Sequence, residues 1–187
     1  MAKKGIRYAV FATRTVTTSG STVTVSYTGG KTLSPVAAYN GTVNKTDAKD
    51  YGDDVVVDVD KVVTGGTLSV ELNNDEDEIY TMLLGHTKST NEIEYKDSDQ
   101  APFVGTGAIG QSGAKWKARW YPKVQFSEPN DENTTRQENV TFGHVTLEGE
   151  ILIPNDGGDD DGLWKVTEVF DTFAAAKTWL DGKAGIS

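Results

Sequence analysis

The run from Tyr51 to His86, YGDDVVVDVDKVVTGGTLSVELNNDEDEIYTMLLGH, constrains the fold most, because two strand patterns and a helix pattern follow one another without a break. Val55, Val57 and Val59 alternate with Val56, Asp58 and Asp60, a period of two that predicts a strand with one apolar face and one increasingly acidic face. Gly65-Gly66 reads as the turn of a hairpin, and Leu68, Val70 and Leu72, alternating with Thr67, Ser69 and Glu71, read as the returning strand. The period then changes. Asn73 or Asn74 is placed to cap a helix, Asp75, Glu76 and Asp77 suit the positive end of its dipole, and Ile79, Met82 and Leu83 fall at helical spacing before Gly85 ends it.

A chain of 187 residues fits one domain, 1–187, and 36% hydrophobic residues with four Trp suffice for a core. Cysteine is absent, which excludes disulfides and cysteine ligands or nucleophiles. No apolar run reaches signal-peptide or bilayer-crossing length, so the expectation is a protein made in the cytoplasm and independent of membranes.

Charge is lopsided. Residues 1–46 hold six bases (Lys3, Lys4, Arg7, Arg14, Lys31, Lys45) and no acid, whereas the rest holds twelve bases and 28 acids, a balance of −16 within a total of −10. Such a subunit is suited to binding its own kind head to tail, a heterologous contact that generates rings or open stacks. A net acidic chain is poorly matched to phosphate backbones. The segment 115–126 runs against the trend, with Lys115, Lys117, Arg119 and Lys123 at odd positions and apolar side chains at even ones, as on a strand with one buried face. Trp116, Trp120 and Phe126 fall on the face away from the cations, so a stacked and charge-paired nucleic acid is not expected there. An ordinary solvated face, or a contact to acids of another subunit such as Asp54, Asp58 or Glu71, suits these cations better.

Several segments imitate chemical motifs. Gly105, Gly107 and Gly110 satisfy a dinucleotide spacing, but a strand pattern follows where a helix is required, so the segment reads as a glycine-rich loop or bend. The run 155–162, NDGGDDDG, is acidic enough to attract calcium, yet it fails the ligand spacing of a helical calcium loop in every register and reads as a solvated turn. His86 and His144 belong to no ligand pair, His86 being explained by its place at a helix end, and no Gly-x-Ser-x-Gly elbow is present. No catalytic, cofactor-binding or metal-ligating residue is therefore assigned, and the chain is not expected to be an enzyme.

Thr22 to Thr28 alternates as a strand. From Gly29 to Gly52 periodicity fades, which predicts an extended loop or arm at 29–52, with Val36, Tyr39 and Val43 available for burial by a neighbouring subunit. Val140 and Phe142 share one parity, Val145 and Leu147 the other, with Gly143 between them as a bulge. A C-terminal extension at 163–182 comprises a short strand, Leu163 to Val169, and a helix capped by Asp171 or Thr172 and ended by Gly182, with Phe173, Ala176, Lys177 and Leu180 on one face. The expected fold class is α+β: an antiparallel β-sandwich or partly open β-barrel with one principal helix after a hairpin and a short C-terminal helix.

The chain resembles the major tail proteins of long-tailed bacteriophages with non-contractile tails. The similarity rests on the order and spacing of Gly5 to Ala9, Tyr51 to Asp54, the helix Glu78 to Gly85, Ala101 to Gly105, Tyr121 to Phe126, and Thr141 to Gly149 running into Ile151. It spans 5–151. The resemblance implies a structural subunit of a virion tail tube, assembled in the host cytoplasm into stacked, hexameric rings. Its partners would be itself and other tail proteins at the tube ends, and double-stranded DNA would cross the channel without specific binding. An acidic lumen repels phosphates, so some of Asp54, Asp58, Asp60 and Glu71 are expected to line it. The alternative is a β-sandwich binding module for carbohydrate or cell-surface recognition, with Trp116, Trp120, Trp164 or Trp179 as an exposed platform.

Overall fold

In a computed structural model, residues 3–33, 35–52, 55–73, 76–130 and 145–186 are described, with the side chains of 3, 4 and 47–60 outside that description. The expectations at Asp54, His144, Val140 and Phe142 lie outside the described residues. Strands β1 (Lys3–Ser19), β2 (Thr22–Thr32), β3 (Val36–Gly52), β4 (Val55–Leu72), β7 (Val104–Ser112), β8 (Lys115–Phe126), β9 (Val145–Ile151) and β10 (Val166–Phe170) form one sheet. Its order is β2-β1-β7-β8-β9-β4-β3, with β10 also on β8. All the pairings are antiparallel. Helix α1 (Asp77–Leu84) and the small β5 (Thr87–Ser89) and β6 (Glu92–Glu94) hairpin follow β4, and α2 (Phe173–Ala184) follows β10. The fold is α+β, as the sequence patterns indicate.

The sheet curls around one core and carries a second outside. Alternation along β1 sends Ala9 and Phe11 inward, where they join Leu68, Val70, Leu83, Val104, Val124, Leu147 and Ile151. Val10 and Ala12 point outward, to Ile109, Trp120 and the Ala176, Leu180 and Ala184 stripe of α2. Curling brings β3, at one end of the strand order, onto the interior strands. The buried Tyr39 hydroxyl lies 3.3 Å from Thr106 Oγ1, which in turn donates to Val10 O at 2.9 Å. Each fully buried Leu, Ile or Val contributes about 1.5–3 kcal/mol, so both faces of the central strands are committed to packing.

Several sequence expectations are corrected here. Gly105 to Gly110 is not a loop but the interior of β7, paired on both sides. A Cβ on Gly105 would stand 2.3 Å from the Trp120 ring and 2.5 Å from the Tyr27 ring, so the glycine is present to let two aromatic rings close over the strand. Trp116, Trp120 and Phe126 do not share a face. A register shift opposite Val104 and Thr106 inserts one extra residue into β8 near Pro122, which has no N–H to contribute to a ladder, and parity changes there. Trp116 and Trp120 therefore pack with α2, while Phe126 enters the inner core.

The helix ends also differ. Residue N-cap of α1 is Glu76, without a side-chain capping bond, rather than Asn73 or Asn74; Gly85 closes the helix at φ 82°, as expected. Thr172 caps α2 by accepting from Ala175 N at 3.2 Å. The helix runs through Gly182 to a left-handed Gly185, because one more turn buries Ala184.

Candidate functional site

Gly65-Gly66 is not a turn. Strand β4 passes straight through it, and β3 and β4 pair from Val36↔Leu72 to Gly52↔Val55. The glycines mark where β9 ends against the pair: a Cβ on Gly65 would lie 2.7 Å from Ile151 O, and one on Gly66 would lie 2.2 Å from Thr42 O. Gly65 holds φ 143°, and the register shifts between Asn44 and Lys45, so a bulge sits at the crossing. Beyond the last β9 pair, Gly66↔Ile151, the two strands continue as a ribbon, residues 45–52 against 55–63, about 30 Å long at the usual strand rise.

The segment 29–52 is consequently strand rather than loop over 29–32 and 36–52. Tyr39 is buried within its own chain, stacked on Tyr121 at 6.3 Å, so it is not available to a neighbour; Val36 and Val43 are half-buried. Asp58 and Asp60 lie on the ribbon strand of β4, opposite Asp50 and Ala48.

Glu71 lies on the sheet. Leu68, Val70 and Leu72 occupy the core, so Thr67, Ser69 and Glu71 face outward, opposite Glu150, Glu148 and Thr146 of β9. The β3–β4–β9 face thus presents Glu71, Glu148 and Glu150, and among the described residues no base is paired with any of them. Glu148 and Glu150 went unassigned in the sequence, although Val-Thr-Leu-Glu-Gly-Glu-Ile carries the same alternation that places Glu71. The edge of β3 pairs only with β4 among the described residues.

Of the four cations on β8, two are already neutralised. Lys115 Nζ lies 2.9 Å from Asp171 and Lys123 Nζ 3.2 Å from Asp156. Lys117 and Arg119 meet no carboxylate among the described residues. The electropositive start of the chain is likewise spent in part: Arg7 lies over Phe173 and Trp116, Lys31 pairs with Glu78, and Arg14 enters the chain's principal ionic network.

The acidic run 155–162 is no solvated turn. It folds over the β1–β2 hairpin, with Val23 and Val25 beneath Gly157 and Gly158. Arg14, with its side chain 1% exposed, donates to Asp156 from Nη1 and Nη2 at 2.8 and 2.9 Å and to Asp160 from Nη2 and Nε at 2.8 and 3.1 Å. The Tyr27 hydroxyl also donates to Asp160, at 3.0 Å, and burial with that carboxylate nearby pushes the phenol well above its ordinary pKa. Chiefly through hydrogen bonds from Arg14, and also from Lys123, Asp156 is held down at about 2. Asp161 accepts from Asp156 N and Gly157 N. The carboxylates of Asp156, Asp160 and Asp161 lie within 4.8 Å of one another, but a guanidinium and an ammonium occupy their acceptor directions, so the group suits a structural clamp rather than a divalent cation.

His86 is more than a helix-end residue. Its Nδ1 lies 2.8 Å from Asp99 Oδ2 and its Nε2 2.7 Å from Glu128 Oε2, which ties the loop before β7 to the segment after β8. Burial opposes the charged imidazole, yet the two carboxylates outweigh it and raise the pKa. The Tyr95 ring lies 4.4 Å away. Neither nitrogen is free to act as a base.

The four tryptophans pack into the two cores: Trp164 against the inner one, Trp116, Trp120 and Trp179 against the outer. No helix among the described residues is long and apolar enough to cross a membrane. No protein-family model matches the chain, and no curated protein matches it either.

Proposed function

We propose that this chain is a structural, non-catalytic subunit of a bacteriophage tail tube, assembling into stacked hexameric rings around a channel for DNA. The observation that carries the reading is the β3–β4–β9 face, acidic through Glu71, Glu148 and Glu150 and bounded by a β3 edge that is unpaired among the described residues. A sheet edge is a pairing surface, and joining sheets from successive copies turns that liability into a closed wall. A wall whose inner face bears carboxylates repels phosphate and lets DNA slide. The sequence resemblance over 5–151 supports the same reading, and the ribbon beyond Gly66 is a reach element for an adjacent ring or subunit.

Negative-stain electron microscopy across a concentration series, with light scattering on the same samples, tests this. Rings or tubes with a central hole are expected. A monomer that stays monomeric at every concentration, and also fails to join a growing tail, overturns it. Replacing Glu148 and Glu150 by Lys is expected to leave assembly intact and slow DNA ejection.

A further inference from the structure

The geometry points to a receiving site for carboxylates of a second copy, formed by Lys117, Arg119 and Lys165, with the ribbon's Asp50 and Asp58 as its occupants. This rests on the self-assembly reading above. Strand β10 pairs Thr167 with Arg119 and Val169 with Lys117, so those side chains share a face, and Lys165, the residue before β10, lies within electrostatic reach of both cations. The Lys165 amine, over the Trp164 ring at 4.3 Å, has its pKa lowered by burial and by the neighbouring charges of Lys117 and Arg119. The three cations therefore repel one another. No carboxylate among the described residues relieves them, in a chain of net charge −10 that could readily have supplied one.

Two further features mark the cluster as unfinished. Among the described residues Arg119 Nε is buried without a hydrogen-bond partner, and the guanidinium meets the Tyr39 and Tyr121 phenols, hydrogen-bonding the latter, rather than an acid. A guanidinium left with an unpaired donor gains more than a solvated one when a carboxylate arrives. Beside the cations Val169, paired with Lys117, stands 54% exposed, an apolar side chain left open to solvent. A contact that pairs charge and covers Val169 removes both costs.

The complement is on the same chain. The register sets Asp50 opposite Asp58 across β3 and β4, and like charges at opposed positions of an antiparallel pair are destabilising. Residues 46–60 hold six Asp and one Lys. The ribbon's excess of negative charge and the cluster's excess of positive charge offset each other when the ribbon of one copy meets the cation cluster of another, and the contact is heterologous, as an open or ring-closing assembly requires.

Sedimentation velocity on K117E/K165E, D50K/D58K and the combined four-site variant tests the pairing. Lys117 is exposed and Lys165 half-exposed, so folding should survive, which circular dichroism checks. Each double variant is expected to raise the concentration needed for association at least tenfold, and the combined variant to recover most of it. Wild-type association with an unchanged K117E/K165E overturns this site alone and leaves the self-assembly reading standing. A wild type that never associates overturns both. Loss of inorganic phosphate binding in K117E/K165E with unchanged association would make the cluster a free-anion site and also overturn the proposal.

Discussion

Replacing Arg14 by Met removes the group that holds residues 155–162 to the β1–β2 hairpin while keeping the length of the side chain. Its guanidinium makes four hydrogen bonds of 2.8 to 3.1 Å to two carboxylates, and Asp160 is 9% exposed. Breaking a buried pair from one side costs about 3–5 kcal/mol, because the remaining charge is stranded. Asp156 retains some access to water and Lys123 as a partner, with its side chain 23% exposed, which places the expected cost near the low end. A loss of about 3 kcal/mol lowers Tm by roughly 6–12 °C in a domain of this size. R14M/D156N/D160N, which removes the stranded charges as well, should recover most of that. Urea unfolding followed by tryptophan fluorescence reads both variants. The acid limb supplies a second check: because Asp156 is depressed to about 2, its stabilisation is full above an unfolded pKa near 4 and is lost as the pH falls toward 2. That contribution, about 1–2 kcal/mol after solvent screening, should vanish from the R14M profile. An R14M cost below about 1 kcal/mol, or a triple variant as unstable as the single one, would refute the clamp.

His86 should act in the opposite pH direction. Its folded pKa is raised, so its stabilisation is complete below the unfolded value near 6.5 and is lost as the pH rises through the folded value; H86Q should flatten that alkaline decline in thermal denaturation. Leu180→Ala, at a fully buried site of α2, should cost about 2–5 kcal/mol and redshift the fluorescence of Trp120 and Trp179. Gly107→Ala puts a Cβ 2.4 Å from Arg119 O and 2.6 Å from Leu180 Cδ1, so it should destabilise by about 1–3 kcal/mol in the same assay, whereas Gly182→Ala, with open space around it, should stabilise by roughly 0.5–1 kcal/mol.

What the sequence made legible was whatever repeats locally. The alternation at Thr67 to Leu72, the stripe in Phe173 to Leu180 and the stop at Gly85 appear as expected, because burial on one face of one element leaves a period in that element. The glycines were misread for the complementary reason. Gly65, Gly66, Gly105 and Gly107 are present because strands, a helix or a ring from elsewhere in the chain press on them, and a glycine forced by tertiary approach looks the same in sequence as one that makes a turn. Arg14 is 142 positions from Asp156 and 146 from Asp160, so nothing local announces their pairing. Of the cations singled out on β8, structure alone separates the two already paired from Lys117 and Arg119, and brings in Lys165 from just before β10.

The absence of cysteine allows the central claim, a hollow assembly walled by the β3–β4–β9 face, to be tested by single-site labelling at Glu148→Cys. A small maleimide should react with this cysteine in both the dissociated and the assembled protein, and a bulky polymer-maleimide only in the dissociated one, because the channel excludes it. Equal reaction with the bulky reagent in particles verified as assembled would put this face on the outside and contradict the account.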